Sequence, residues 1–243
     1  MATTSKNIQM KIQDENSNWI LLYPKTKAEC VEGLEDLDFG NIQEQIDNIN
    51  KELEELKYVA ISITSFNANK SNVELGSTVS DVVLTWNTNK SPEHQYINNV
   101  EISNSTKTYS YSTSFNLNKT FTLKVTDSKG ATATKSVSIN FLNGAYYGAS
   151  SSTNYNNDFI LSFTKVLTNS KNRNITVNAG EGQYIFYCIP TRFGTCNFTV
   201  NGFSGGFSLV STINFTNSSG YTENYDIWKS TNSNLGNTNV SIT

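Results

Sequence analysis

The chain contains a single histidine, His94, set in the polar stretch "NKSPEHQY". A Ser–His or Cys–His nucleophile pair needs the imidazole beside its nucleophile. His94 lies far along the sequence from Cys188 and Cys196, and no G-x-S-x-G elbow occurs. Four carboxylates, Asp158, Glu181, Glu223 and Asp226, fall in the C-terminal hundred residues. A general acid–base pair among them stays open, beside the plainer reading of solvated turn residues. No His or Cys spacing offers three or four convergent metal ligands, and phosphate loops and dinucleotide fingerprints are absent. The expectation is a non-enzyme with no metal and no cofactor.

Binding chemistry is the better match. Beyond residue 143, tyrosines and tryptophans sit beside glycines and asparagines, as in "NGAYYG", "SSGY" and "YDIW". A flat ring can cover the apolar face of a sugar while neighbouring amides reach its hydroxyls. Tyr146, Tyr147, Tyr221, Tyr225 and Trp228 are the candidates, with core packing as the competing role of each. Arginine adds a second signal. The 18 basic residues include only two arginines, Arg173 and Arg192, both in this part. An arginine kept against a lysine-rich background points to its planar fork, in a buried ion pair or an anion contact. The ion pair is favoured, and Arg192 joins the candidate binding residues.

The elements that must position these groups can be read from periodicity. Residues 1–33 hold one antiparallel hairpin: Ile8, Met10 and Ile12 alternate, "DENSN" turns, and "WILLY" runs extended to Pro24. A lone hairpin is too small to fold alone, so a partner or further copies are expected. Residues 34–57 form an acidic helix in which Ile42, Ile46, Ile49, Leu53 and Leu56 alternate steps of four and three. That is a coiled-coil seam, and isoleucine in both seam registers shifts preference from dimers toward trimers or tetramers. At about two heptads the rod is marginal by itself. The alternative is an amphipathic helix lying on its own domain.

After Lys57 the period becomes two. Residues 58–142 read as a sandwich, with strands in "VAISITSF", "DVVLTW", "TYSYSTSF", "TFTLKVTD" and "ATKSVSINF". Asp127 to Gly130 form a tight hairpin loop, and Trp86 is expected in the core. Residues 143–243 carry ten of the 14 glycines between aromatic strands, which predicts a second compact antiparallel domain. The fold class is therefore mainly β, with a short helical rod.

Charge and composition exclude other classes. Residues 29–57 carry ten acids against Lys51 and Lys57, whereas residues 58–243 carry twelve Lys or Arg against nine acids, a modest excess that is no basic nucleic-acid footprint. No apolar run approaches a membrane span, and the N-terminus lacks the apolar core of a signal peptide. The 34 asparagines accompany plentiful Ser, Thr, Lys, Ile and Tyr, as an A/T-rich codon bias would give. Cys30, Cys188 and Cys196 make an odd, sparse set, expected to stay reduced; a Cys188–Cys196 bridge across "IPTRFGT" is the alternative.

Several strings resemble a known family. "NWILLYPKTKAE", followed by an acidic stretch and a short coiled coil, is similar to the N-terminal attachment segment of tail-fibre and baseplate-type proteins. These come from tailed phages and prophages of low-G+C Gram-positive bacteria. "GQYIFYCIPTRFGTCNFTVNGFSGGF" and "FTNSSGYTENY" resemble a terminal domain of the same fibres, and residues 59–142 resemble their Ig-like modules. Cys30, in "ECV", departs from the polar residue more usual there. The resemblance implies a homotrimeric virion component assembled in the host cytoplasm. Trp19, Leu22, Tyr23 and Pro24 would dock it on other tail or baseplate proteins, with the C-terminal domain outward on a host cell-wall glycan. It supplies no catalytic residues. A purely structural tail protein is the main alternative, and a host-encoded surface adhesin a weaker one.

Overall fold

The structure is a computed structural model that describes residues 10–13, 19–22 and 39–243. Tyr23, Pro24 and Cys30 lie outside the described residues, as does most of the segment before the helix. The chain divides into two compact units, Met1–Val59 and Ala60–Thr243.

In the first unit β1 (Met10–Gln13) pairs antiparallel with β2 (Trp19–Leu22), Met10 opposite Leu22. Helix α1 spans Phe39–Leu56. Its flanks are held by side-chain pairs one turn apart, Gln43 to Asp47 at 3.0 Å and Gln45 to Asn41 at 2.9 Å. The helix ends where Lys57 N donates to Leu53 O and the period of the sequence changes. All five seam residues are exposed in the single chain, from 42 % at Ile42 to 83 % at Leu56. No helix among the described residues is long and apolar enough to cross a membrane.

The second unit begins as an Ig-like sandwich. One sheet holds β3 (Ile63–Ala68), the short β4 (Asn72–Glu74) lies apart from it, and β5 (Val82–Thr88) pairs with β3. A hairpin of β6 (His94–Ile97) and β7 (Val100–Ile102) follows, then β8 (Thr108–Tyr111), which pairs with β5. Strand β9 (Lys119–Thr126) turns into β10 (Thr132–Ser150), 19 residues long. The Asp127–Gly130 turn has the expected form, with Gly130 at φ 83° and its N–H donating to Asp127 O. Trp86, Leu84, Phe121, Leu123 and Ile139 close the core between the sheets.

The β6–β7 hairpin places the end of the polar stretch "NKSPEHQY" in a strand. His94 opens a strand, and Asn98 and Asn99 take φ 49° and 67°, the two-residue turn in which both positions are left-handed. Strands this short show too little alternation to be seen in sequence.

Strand β10 continues without a break past residue 142 into the C-terminal part. There β11 (Thr164–Thr168) and β13 (Tyr184–Pro190) pair with it on opposite edges, both reaching Tyr146 and Tyr147. Strand β12 (Arg173–Ala179) belongs to a second sheet with β14 (Phe198–Val200), β15 (Phe203–Ser204) and β18 (Gly236–Ile242), ordered β12-β18-β14-β15. The first sheet is extended by β16 (Phe207–Thr216) and β17 (Thr222–Ser230), in the order β16-β17-β13-β10. "YIFYCIP" of β13 is an unbroken apolar run because both its faces are buried. Ile185, Tyr187 and Ile189 face the second sheet, whereas Phe186 and Cys188 pack under the short helix α2 (Asn157–Leu161).

Candidate functional site

The aromatic candidates divide by burial. Tyr146 and Tyr225 are 1 % exposed and Trp228 is 8 % exposed. The Tyr225 hydroxyl donates to Gly144 O at 2.8 Å, and the Tyr146 hydroxyl donates to Glu74 Oε1 at 3.3 Å. Burial pushes both phenols well above their ordinary range. Trp228 packs against Phe198, ring centres 5.4 Å apart. No ring face of these three is left for a ligand, so their expected role as sugar contacts is corrected to core packing. The physical reason is the layer count: a central sheet covered on both faces buries aromatics that a two-layer domain would leave at its rim. Tyr147 is half-buried against the same core as Trp228. Tyr221 is half-buried too, and packs so closely on Gly76 that a Cβ there would lie 2.8 Å from its own.

Arg192 is held in an ion pair. Its Nε lies 3.1 Å from Glu223 Oε1, and a terminal nitrogen donates to Asn143 Oδ1. Asn143 Nδ2 donates in turn to Glu223 Oε2 at 2.6 Å, closing a triangle. The Arg192 side chain is still 50 % exposed, so this is a surface ion pair and not the buried one expected. Arg173 sits beside the Tyr187 hydroxyl, which donates to Lys171 O.

The other groups of chemical interest are also occupied. His94 Nδ1 is 2.8 Å from Glu101 Oε1 on the exposed β6–β7 hairpin. Cys188 and Cys196 are free and buried, and burial raises both thiols, Cys196 to about 11. Asp226 accepts from Thr212 Oγ1 at 2.6 Å, and Glu223 belongs to Arg192. Among the described residues no three His, Cys, Asp or Glu side chains converge on a metal position. A cleft of about 430 Å³ in the Ig-like sandwich is floored by Trp86 and Gln95. Gln95 spends its amide on Ser103 O and Thr106 O and accepts from Trp86 Nε1, so that floor is a brace.

The surface that remains is the outer face of the β12-β18-β14-β15 sheet. Strand alternation buries Ile175 and Val177 of β12 and Val240 and Ile242 of β18, and turns Asn174, Thr176, Asn178, Asn237 and Asn239 outward. Register aligns them in rows. Asn174 stands opposite Ser241, which stands opposite Thr199, and Thr176 stands opposite Asn239. Thr176 Oγ1 donates to Asn239 Oδ1 at 2.7 Å. A shallow depression of about 640 Å³ follows these rows, and no ionisable side chain lines it.

One end of the face is closed by the β14–β15 hairpin. Its turn is Asn201-Gly202, with φ 47° and 90°, the Asn-Gly form that matches strand twist. Asn201 is tied to β18, its Oδ1 accepting from Asn239 N at 3.0 Å and its N–H donating to Asn239 O. The hairpin presents Phe203 at 80 % exposure, opposite Val200 and so on the other face of the sheet from Thr199 and Ser241. A second depression, about 330 Å³, is lined by Phe203, Gly205, Gly206 and Asn232 and shares Asn201 with the first. The aromatic–glycine pattern misses this face. Its sequence signal is "NITVN" against "NTNVS", alternation whose polar members are all uncharged.

Residues 51–140 match the bacterial Ig domain family, from within α1 to the middle of β10. An Ig-like domain is thus present, and the match stops short of the C-terminal sheets. No curated protein matches the chain.

Proposed function

We propose that the chain is a tail-fibre or baseplate-type protein of a phage or phage-tail-like particle. It binds a host cell-surface carbohydrate through its C-terminal domain. Ig-like domains of this kind are common in phage tail proteins, which supports the setting. The observation that carries the binding role is the outward sheet face of asparagine, threonine and serine. Exposed seam residues Ile42, Ile46, Ile49, Leu53 and Leu56 support assembly of three copies through α1, because apolar side chains repeated at 3.5-residue spacing gain most from facing other helices. Three copies turn weak glycan contacts into avidity. The N-terminal segment, with Trp19, Leu22, Tyr23 and Pro24, would dock on a neighbouring tail protein, and the particle would assemble in the host cytoplasm.

The test is sedimentation of the full chain with isolated cell walls of low-G+C Gram-positive bacteria, before and after the wall glycopolymers are stripped. Binding lost on stripping supports the reading, and absence of binding to any wall removes it. A second reading, a purely structural tail module, is favoured by one feature: Glu74, Lys165 and β10 fix the Ig-like and C-terminal parts in one compact unit, as a spacer would require.

A further inference from the structure

We infer that the outer face of the β12-β18-β14-β15 sheet is the glycan-binding surface, and that its ligand is an uncharged polysaccharide chain lying across the strand rows. This rests on the carbohydrate reading above and adds the place and the ligand's charge. Same-face side chains recur roughly every 7 Å along a strand and about every 4.8 Å between strands, the dimension of one sugar ring. Each exposed asparagine offers both a donor and an acceptor, and so does each hydroxyl. A polyol, whose hydroxyls both donate and accept, matches such a grid.

Charge decides between glycan classes. Asn174, Thr176, Thr199, Asn201, Asn239 and Ser241 line the depression, and none of them can neutralise a phosphate or carboxylate. An anionic polymer would give up hydration there without receiving a countercharge. The cost of ordering is low because the turn and the sheet already hold the contacts in place.

The test uses the full chain on an array bearing uncharged polysaccharides (glucan, mannan, galactan and N-acetylglucosamine oligomers) and anionic ones (glycerol-phosphate teichoic acid and hyaluronan). The N174A/N239A double variant and T176K, all at exposed positions, run beside it with thermal melting as the fold control. The expected result is binding to an uncharged polymer, weakened at least tenfold in both variants at unchanged melting temperature. Binding to an uncharged polymer that survives both variants overturns the assignment of this face while leaving the carbohydrate reading intact. Binding confined to anionic polymers also overturns it. If no polymer of either class is bound, the carbohydrate reading itself fails and the face assignment goes with it.

Discussion

Glu74 of the Ig-like part lies 2.9 Å from the ammonium of Lys165 in the C-terminal part, with the carboxylate 8 % exposed and the lysine side chain 34 % exposed. Around this pair Ser219 Oγ donates to the second carboxylate oxygen at 3.0 Å, and Asn217 Nδ2 donates to Leu75 O at 2.8 Å. A buried charge so surrounded is costly to strand. Lys165→Met should therefore destabilise the unit by about 2 kcal/mol, with Glu74→Gln costing less because it removes the charge rather than its partner. For a unit of this size that is a drop of roughly 4–8 °C in melting temperature for Lys165→Met. Differential scanning calorimetry checks both, and equal melting of the wild type and Lys165→Met would contradict the junction described.

The buried aromatics should behave as core. Trp228→Ala should cost about 3–5 kcal/mol, and Tyr225→Phe about 1 kcal/mol through loss of the hydrogen bond to Gly144. Denaturant unfolding gives both values. Where attachment to cell walls weakens in Trp228→Ala, it should weaken in step with the fraction unfolded.

The seam makes a separate prediction. Ile46→Glu combined with Ile49→Glu places acids where an associated bundle would bury isoleucines. Light scattering should show the native mass fall from three chains to one, while the β-rich unit melts as before. A wild-type chain that is already monomeric would remove the bundle.

Alkaline pH should destabilise the fold. Burial raises the Cys196 thiol from an ordinary value of 9 to about 11, and Cys188, Tyr146, Tyr187 and Tyr225 are raised as well. A group whose folded value lies above its unfolded one favours folding fully below the unfolded value and loses that contribution as pH rises through the folded one. Melting temperature should thus be insensitive to these groups from pH 6 to 8 and fall progressively from about pH 9 to 11. For the same reason Cys196 should react slowly with iodoacetamide at pH 8 in the native protein and rapidly in denaturant.

Much of the architecture could be read from spacing. The step from 3.5 to 2 at Lys57 marks the end of α1, and Asp127–Gly130 is a turn by composition alone. Trp86 in "LTW" is buried as expected of a sandwich tryptophan. What escaped were features set by tertiary context. The β6–β7 hairpin is too short to alternate, and its Asn98-Asn99 turn lacks the glycine that usually flags one. Whether Tyr146 or Trp228 faces water depends on how many layers surround β10 and β13, which no local pattern states. The outward asparagines were hidden by their own abundance: in a chain with 34 of them, "NITVN" does not stand apart until β18 is laid beside β12 in register.

Strand β10 also has a mechanical consequence. Tension applied between Ala60 and the outer sheet would run along β10, which crosses the junction with no loop to stretch. At about 3.3 Å per residue its 19 residues form a tie of roughly 60 Å. Its ladders with β9, β11 and β13 lie alongside that tie, so force directed along it would shear many hydrogen bonds together instead of opening them in turn. The two halves should yield as one body, at a higher force than a pair of Ig-type domains strung on a flexible linker.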